Sequence, residues 1–312
     1  MRIIVSGGTG FIGHSIIRAL LEDGHDVILL SRSSHLKSPG DFFDTNKEGS
    51  LKVMEWDGKS LGLWSDYMEN THAVINLTGE PIAAKKWTAA QKEKIASSRL
   101  ESTKILVQAI AQAKKKPFVL INASAIGYYG DTDDAIVMES QPRGEGFLPE
   151  TCGKWESQAS EAESLGVRVV FLRLGLVLGK GGGVLKKMIP PFNFFLGGPL
   201  GTGYQWLSWV HIDDVIGIIL LALKHLELSG PVNVTAPNPV NMNQFCYALG
   251  RALGRPSWLP VPSWVLKLGL GEMSEMLLTG QRVIPQRLQA EGYVFKHSDI
   301  EEALASIIKG KK

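Results

Sequence analysis

The residues best suited to bind a ligand form a glycine-rich segment near the N-terminus. The segment Gly7-Gly8-Thr9-Gly10-Phe11-Ile12-Gly13 follows the apolar run at residues 2–6. Glycines at this spacing form a tight turn between a strand and a helix, and the helix N-terminus then receives the pyrophosphate of a dinucleotide. We expect a side chain at Gly8 or Gly10 to obstruct that approach. A flexible turn is the alternative interpretation.

The residues around the turn favour the dinucleotide. Apolar residues from Phe11 to Leu20 recur at helical spacing and predict a helix over residues 11–21, while residues 25–30 read as a second buried strand. A strand before the glycines and a helix after them are the context that the binding motif requires.

The end of the second strand indicates which dinucleotide is bound. Folds that bind NAD place an acidic residue about 20 residues beyond the glycines to hold the ribose hydroxyls, whereas NADP binders use a nearby arginine. Here the sequence reads Ser31-Arg32-Ser33, without a carboxylate. A hydroxyl and a guanidinium suit a 2′-phosphate, so the sequence predicts NADP. A solvated surface arginine is the alternative for Arg32.

Composition excludes several classes of function. The chain has 312 residues, of which 44% are hydrophobic and 21% charged, as in an ordinary globular protein larger than one core usually serves. A net charge of +2, from 33 basic and 31 acidic residues, creates no field that would attract nucleic acid.

Membrane and export signals are also missing from the sequence pattern. The apolar stretch at residues 215–223 is too short to span a bilayer, and Met1-Arg2 leads directly into the first strand. The two cysteines, Cys152 and Cys246, show no framework spacing. We therefore expect a cytoplasmic protein with no membrane association.

Strand and helix patterns alternate along the first half of the chain. Further strands are predicted at residues 51–56, 73–77, 118–122 and 168–172, with long helices at 88–114 and 149–164. This alternation predicts an α/β fold of the Rossmann type, with a doubly wound parallel sheet. We expect an NADP-binding domain over residues 1–174 and a smaller C-terminal substrate lobe over 175–312, from which segments return to the sheet.

Two further segments complete a family resemblance. Residues 124–130 follow the strand at Ile121, and residues 209–215 read Trp-Val-His-Ile-Asp-Asp-Val. With the glycine motif, they make the chain similar to the extended short-chain dehydrogenases/reductases of the NAD(P)-dependent epimerase/dehydratase type. Residues 259–262, 280–285 and 290–293 resemble the C-terminal domain of its epimerase-family, cell-division-inhibitor-like subfamily.

The resemblance implies further contacts to the cofactor. Asp57 and Gly58 would flank the adenine, and the segment after the fourth strand would pass under the nicotinamide ribose. That segment contains Leu77, Thr78, Gly79, Glu80 and Ile82.

Arg99 falls where the family usually has an asparagine. Its guanidinium could reach the cofactor pyrophosphate or an anion on the substrate. A solvated helix arginine is the alternative.

The catalytic residues are where the sequence departs from this family. Its members pair a serine with Tyr-x-x-x-Lys, in which the lysine lowers the pKa of the tyrosine that exchanges a proton with substrate. Ser124 fits the first role, but none of the six tyrosines has a lysine four residues later. Leu148 stands where the tyrosine belongs and Cys152 where the lysine belongs, and neither can take over the role.

Two tyrosines could act in place of the missing pair, and the role of Cys152 stays open. Tyr128 and Tyr129 follow Ser124 and are candidate acids, with aromatic packing as the alternative. Cys152 could be ordinary packing, a non-ionised wall on the nicotinamide side, or a thiolate.

The remaining polar and aromatic residues receive structural interpretations. Tyr204, Trp206 and Trp209 are expected to wall the substrate cavity or to pack in the core. We assign a structural role to His211 and Asp213-Asp214. The 7 histidines show no ligand spacing, so we expect no metal.

The sequence thus predicts an NADP-dependent oxidoreductase of the short-chain dehydrogenase/reductase type, acting on a small organic molecule. The alternative is an NADP(H)-binding regulatory sensor that has lost turnover, which the missing tyrosine and lysine favour. An epimerase or dehydratase of nucleotide sugars is disfavoured, because those reactions rely on the same tyrosine.

Overall fold

A seven-stranded sheet lies at the centre of the computed structural model, which describes residues 1–32 and 49–310. All of its strands pair in parallel, in the order β11-β7-β5-β4-β1-β2-β3. The strands of the protein are β1 (Arg2–Ser6), β2 (Asp26–Ser31), β3 (Leu51–Glu55), β4 (Ala73–Asn76), β5 (Val119–Ala125), β6 (Ile136–Val137), β7 (Arg168–Leu174), β8 (Leu176–Leu178), β9 (Trp206–Leu207), β10 (Trp209–His211), β11 (Gly230–Val234), β12 (Val240–Asn241) and β13 (Arg282–Val283).

Helices cover both faces of this sheet, as predicted. They are α1 (Phe11–Glu22), α2 (Ala89–Gln112), α3 (Phe147–Ser160), α4 (Leu185–Asn193), α5 (Ile212–Lys224), α6 (Met242–Leu253), α7 (Ser263–Leu270), α8 (Glu275–Leu278), α9 (Gln286–Ala290) and α10 (Ile300–Lys309). One apolar core joins the sheet to α1 and α5, and a second joins it to α2 and α3. The Rossmann-type α/β fold is therefore confirmed.

A third core forms the smaller lobe. It packs side chains of α4, α6 and α10, together with the buried indole of Trp209. Helix α5 and strand β11 return to the sheet layer, although both lie beyond residue 174. The division of the chain at residue 174 stays a prediction. None of the helices in residues 1–32 and 49–310 has the length and apolar character that crossing a bilayer demands.

Residues 263–279, whose apolar residues favour one helix, form a broken helix. Helix α7 ends at Leu270, and a 3-10 turn at Gly271–Ser274 precedes α8. Gly271 has φ +62°, the left-handed conformation that commonly ends a helix at a glycine. A periodic apolar pattern does not reveal such an interruption.

Asp214, in the first turn of α5, holds the C-terminal segment against the sheet layer. Its buried carboxylate accepts hydrogen bonds from the backbone N–H groups of Lys296 at 2.7 Å and His297 at 3.1 Å. The hydroxyl of Tyr293 donates to the backbone carbonyl of Asp214 at 3.2 Å. One buried acid thus positions the chain that leads into α10.

A ladder of buried polar side chains fixes the carboxyl ends of β1, β4 and β5. Ser6 Oγ donates to Asn76 Oδ1 at 2.8 Å, and Asn76 Nδ2 donates to Asn122 Oδ1 at 2.7 Å. Asn76 Nδ2 also lies 2.9 Å from the hydroxyl of Thr103 on α2, which accepts from the indole of Trp155 on α3 at 2.9 Å. The ladder therefore links three strands to two helices at the edge where ligands bind in such folds.

Replacing the central residue of this ladder is expected to destabilise the fold. Asn76→Ala leaves buried partners without a hydrogen bond, each costing about 1–3 kcal/mol, so the free energy of unfolding should fall by about 3 kcal/mol. Urea titration followed by circular dichroism measures the change. Asn238→Ala is the control, because Asn238 is exposed and its side chain makes one hydrogen bond, to Ser298. Equal effects of the two substitutions would contradict the prediction.

Candidate functional site

The glycine turn has the backbone geometry that a phosphate cradle requires. Gly7 has φ +72°, and a Cβ there would lie 2.5 Å from the carbonyl oxygen of Leu77. A Cβ on Gly13 would lie 2.3 Å from the carbonyl oxygen of Gly7. Helix α1 then begins after Gly10 with no side chain capping its N-terminus. Its first-turn N–H groups are thus available to an anion.

Gly8 and Gly10 are the two other glycines of the turn, and the space around them differs. A Cβ on Gly8 would lie 2.4 Å from methyl groups of both Ile17 and Leu29, so packing of α1 on the sheet, rather than access of a pyrophosphate, already excludes a side chain there. A Cβ on Gly10 would meet only the oxygen of Gly7, at 3.3 Å. Gly10 is exposed, and the expectation that a side chain there obstructs the pyrophosphate stays a prediction.

The other residues of the motif divide between surface and core. Thr9 is exposed, whereas Ile12 packs against the core shared by the sheet, α1 and α5. The ring of Phe11 lies against a second glycine-rich segment, where Cβ atoms on Gly179 and Gly182 would come within 2.7 Å and 2.2 Å of it. The segment from β8 to α4 therefore closes over the first turn of α1.

The predicted adenosine end lies at the carboxyl ends of β2 and β3. Ser31 is buried as the last residue of β2, and the side chain of Arg32 is exposed, while Ser33 lies outside the described residues. Asp57 Oδ1 accepts from the backbone of Lys59 at 2.8 Å and of Ser60 at 2.9 Å, which lowers the pKa of Asp57. Gly58, with φ +80°, completes that turn. Their contact with adenine stays a prediction.

A cavity of about 660 Å³ gathers most of the residues predicted at the nicotinamide end. It is lined by Leu77, Thr78, Gly79 and Ile82 after β4, Arg99 from α2, Ser124 from β5, Leu148 and Cys152 from α3, and Trp206 from β9. Glu80 and Tyr128 are not among the lining residues in the described part of the chain. Of the expected aromatic wall, Trp206 contributes, whereas Trp209 is in the core and Tyr204 is exposed.

Ser124 is buried and hydrogen-bonded away from bulk solvent. It is the penultimate residue of β5 rather than a loop residue, and its Oγ donates to Glu156 Oε1 at 2.6 Å. Glu156 on α3 forms a two-pronged ion pair with Arg173 on β7, with Nε and Nη2 each 2.9 Å from a carboxylate oxygen. This contact with Glu156 raises the pKa of Arg173 against the effect of burial. The serine is therefore held by a buried ion pair.

Sequence reasoning missed both members of this ion pair. An arginine at position 173 within an apolar strand pattern was the available signal, because a buried charge needs a partner. Arg173 Nη1 also donates to the hydroxyl of Tyr129 at 2.9 Å and to the backbone carbonyl of Glu139 at 3.2 Å. The carboxylate of Glu139 in turn accepts from the backbone N–H of Asn233 at 3.1 Å.

The two tyrosines proposed as substitute acids belong to the same cluster. The Tyr128 ring lies 3.6 Å from the guanidinium carbon of Arg173, and the Tyr129 hydroxyl donates to Asn233 Oδ1 at 2.7 Å. Burial raises the pKa of Tyr129. These contacts favour the packing interpretation of both residues, and the acid role of Tyr128 stays a prediction that the geometry does not support.

Leu148 and Cys152 share a wall of the cavity with Ser124, as expected from their four-residue spacing on α3. Burial raises the pKa of the Cys152 thiol to about 11, and the charge of Glu156 adds to the effect. The thiol is consequently protonated at neutral pH, which disfavours its role as a thiolate nucleophile.

Two residues at the start of α5 and one from the segment before α10 come together, although the sequence spacing did not suggest it. Ligand atoms of His211, Asp213 and His297 all lie within 4.8 Å of one another. His211 Nδ1 accepts from the backbone N–H of Asp213 at 3.0 Å, and its ring stacks on His297 with centroids 3.8 Å apart. That hydrogen bond caps α5, which agrees with the structural role expected for His211. The absence of a metal stays a prediction.

Comparison with known proteins agrees with this geometry. The model of the NAD dependent epimerase/dehydratase family matches residues 3–235, and a domain of unknown function matches residues 261–307. The chain is 40% identical over 311 residues to the chloroplastic SDR39U1 homolog of Arabidopsis thaliana, covering 99% of this chain and 87% of the relative. It is 37% identical to the epimerase family protein YfhF of Bacillus subtilis, covering 100% of this chain and 99% of the relative.

A solved structure gives a close match in three dimensions. The human epimerase family protein SDR39U1, isoform 2, crystallised with NADPH, superimposes with a TM-score of 0.87 at 34% identity, and the match covers 100% of both chains.

Two glycine substitutions are expected to have different effects, one on the binding of NADPH and the other on the stability of the fold. Gly10→Val places a side chain over the uncapped helix N-terminus, so binding of NADPH should be lost while stability changes by less than about 1 kcal/mol. Gly13→Val forces a side chain into the backbone of the turn and should cost about 3 kcal/mol or more. Calorimetric titration and thermal unfolding measure the two effects. Retained affinity in folded Gly10→Val would show that this glycine serves only the turn.

Proposed function

The chain belongs to the NAD dependent epimerase/dehydratase family, and on that premise we propose that it is an NADP(H)-dependent oxidoreductase of the short-chain dehydrogenase/reductase type. It acts in the cytoplasm on a small organic substrate. The observation that carries this proposal is the position of the large cavity: Leu77 touches the glycine turn through its backbone and also lines the cavity. A dinucleotide lying across that edge would reach from the turn into the cavity.

The residues of the cradle fit a dinucleotide with a 2′-phosphate. The uncapped N-terminus of α1 would hold the pyrophosphate, and the exposed Arg32 beside Ser31 would face the phosphate on the ribose. That the human relative was crystallised with NADPH supports this choice. When bound, the cofactor supplies or accepts the hydride.

The side chains of the cavity orient the substrate more than they exchange protons with it. The hydroxyl of Ser124 donates its hydrogen bond to Glu156. The lone pairs of its oxygen are therefore available to accept a hydrogen bond from a substrate hydroxyl. Leu148 has no proton to give, and the raised pKa of Cys152 makes its thiol a weak acid. The proton that accompanies a hydride must therefore come from water or from the substrate itself.

A regulatory sensor is the second candidate function, and Leu148 and Cys152 favour it. Leu148 and Cys152 line the cavity where the related dehydrogenases carry tyrosine and lysine. Such a site would bind NADP(H) and report its presence without turnover. Oxidation of NADPH in the presence of aldehydes, ketones, quinones and sugar nucleotides discriminates the two, because a sensor would bind the cofactor and oxidise none of it.

Cofactor preference tests the assignment of Arg32. We expect the protein to bind NADPH at least about tenfold more tightly than NADH, since a charge-assisted contact to the 2′-phosphate is worth about 1.5–3 kcal/mol. Arg32→Asp should narrow or invert the ratio in calorimetric titrations. Arg18→Asp is the matched control, because Arg18 is exposed on α1 and pairs with Glu22. Equal affinity of the native protein for both cofactors would remove the 2′-phosphate argument.

Restoring the missing pair tests the catalytic assignment. Loss of a positioned general acid typically costs about 10²–10⁴ in rate, so native turnover of an activated ketone should be slow. Leu148→Tyr combined with Cys152→Lys should raise NADPH oxidation, and each single substitution should do less, because the lysine acts through the phenol. The four proteins are compared on one ketone. Brisk native turnover that persists in Ser124→Ala would overturn this account of the site.

A further inference from the structure

Arg99 presents a fixed positive charge to the interior of the large cavity. It is partly buried on α2 and lines the cavity beside Gly79 and Cys152. Its Nη1 donates to the backbone carbonyls of Glu80 at 3.0 Å and Ile95 at 2.8 Å, and its guanidinium lies 5.1 Å from the ring centroid of Trp155. These contacts hold the guanidinium in place but do not neutralise it.

The acid whose backbone contacts Arg99 forms its ion pair with another residue. The carboxylate of Glu80 pairs with Lys94 at 3.4 Å, and the hydrogen bond that Glu80 accepts from Arg99 is at its backbone carbonyl. Within residues 1–32 and 49–310, Arg99 forms no ion pair, and its Nε and Nη2 make no hydrogen bond to the protein. Burial lowers the pKa of Arg99, and the acidic groups of Cys152 and Glu80 oppose that effect only in part.

The position of Arg99 separates it from the cofactor phosphates. The lining of its cavity includes the segment after β4 and the wall of α3, but within the described residues it includes none of the residues from Gly7 to Gly13 and not Arg32. The pyrophosphate is expected at the N-terminus of α1, outside this lining. Arg99 therefore faces the space left for the substrate.

The charges of the cavity limit what the ligand can be. Arg99 is the one cationic residue among those that line the described cavity, whereas four exposed acids, Asp131, Glu145, Glu272 and Glu275, also belong to its lining. A pyrophosphate carries more negative charge than one guanidinium balances. A single carboxylate matches the free edge of the guanidinium, which can donate two parallel hydrogen bonds from Nε and Nη2.

One part of the wall is apolar and aromatic. Trp87, Phe147, Leu148 and Met276 line the same cavity. A substrate with one charged end and an apolar body would place its charge on Arg99 and its body against these side chains.

We propose that the substrate of this protein is a small monocarboxylic acid, bound through its carboxylate to Arg99, and not a nucleotide sugar. The proposal rests on the proposed function, because it assigns the ligand of the same cavity. It makes Arg99 a specificity-determining residue for the substrate and leaves cofactor binding to the glycine turn and Arg32.

The test measures binding to the protein loaded with NADP⁺ by titration calorimetry. The probes are acetate, benzoate, phenylacetate and phenylpyruvate, each compared with its amide, and one nucleotide sugar, UDP-glucose. We expect at least one acid to bind about ten- to a hundredfold more tightly than its amide, the ratio typical of a charge-assisted pair, and UDP-glucose not to bind.

Two substitutions at one position assign that preference to Arg99. Arg99→Met should abolish the preference of acid over amide, and Arg99→Lys should retain part of it, because lysine keeps the charge but loses the two-pronged geometry. Arg251→Met is the matched control: Arg251 on α6 stacks over Tyr247 and pairs with the exposed Glu301, and it does not line the described cavity. The control should leave every dissociation constant unchanged.

The possible outcomes distinguish a failure of the proposal about the substrate from a failure of the proposed function. If every acid and its amide bind alike, or if UDP-glucose binds and the acids do not, the inference about the substrate is overturned while cofactor binding stands. If Arg99→Met weakens NADPH binding and leaves the acid preference intact, Arg99 serves the cofactor, which also overturns it. If the native protein binds no NADPH in a preceding titration, it is the proposed function that fails.

Discussion

The buried ion pair of Glu156 and Arg173 is the interaction on which the arrangement of the site depends. Both residues lie in the interior, where a charge without a partner would cost several kcal/mol, so α3 and β7 must meet with both side chains in register. Such a pair adds little net stability compared with apolar packing, but it permits few alternative arrangements. Ser124 takes its orientation from this pair, and Tyr129 extends it to β11. The side of the sheet that borders the large cavity is thus built around one electrostatic requirement.

The cavity is lined by a fixed cation, Arg99, and by two side chains that are poor proton donors, Leu148 and Cys152. Two of its polar side chains make structural contacts: Ser124 donates to Glu156, and Nη1 of Arg99 donates to two backbone carbonyls. Leu148 and the protonated Cys152 face the same space. A site of this kind positions a ligand and leaves most of the chemistry to the cofactor and the ligand. Both candidate functions, the oxidoreductase and the sensor, use side chains that position a ligand without exchanging protons with it. They differ only in whether a hydride is transferred.

Local patterns in the sequence predicted the sheet and the glycine turn because their causes are local. The apolar spacing of α1 and the run at residues 2–6 depend on neighbouring residues, and so does the conformation of Gly7. Contacts between distant segments could not be predicted in this way. Arg173 meets Glu156 from a strand 17 residues along the chain, and His211 stacks on His297 from a segment much further along it. Gly8 was identified, but the reason for its identity, the methyl groups of Ile17 and Leu29, appears only in the packed structure.

Main-chain atoms of the C-terminal segment take part in its docking on the sheet layer, beside the side chains of Tyr293 and His297. Asp214 accepts hydrogen bonds from two successive peptide N–H groups, at Lys296 and His297. These two contacts depend on the path of the backbone and not on the chemistry of those side chains. Every residue except proline presents such an N–H group. These two hydrogen bonds can therefore form whichever side chains, other than proline, stand at positions 296 and 297. Asp214 is thus a fixed point of attachment between the smaller lobe and the layer that carries the glycine turn.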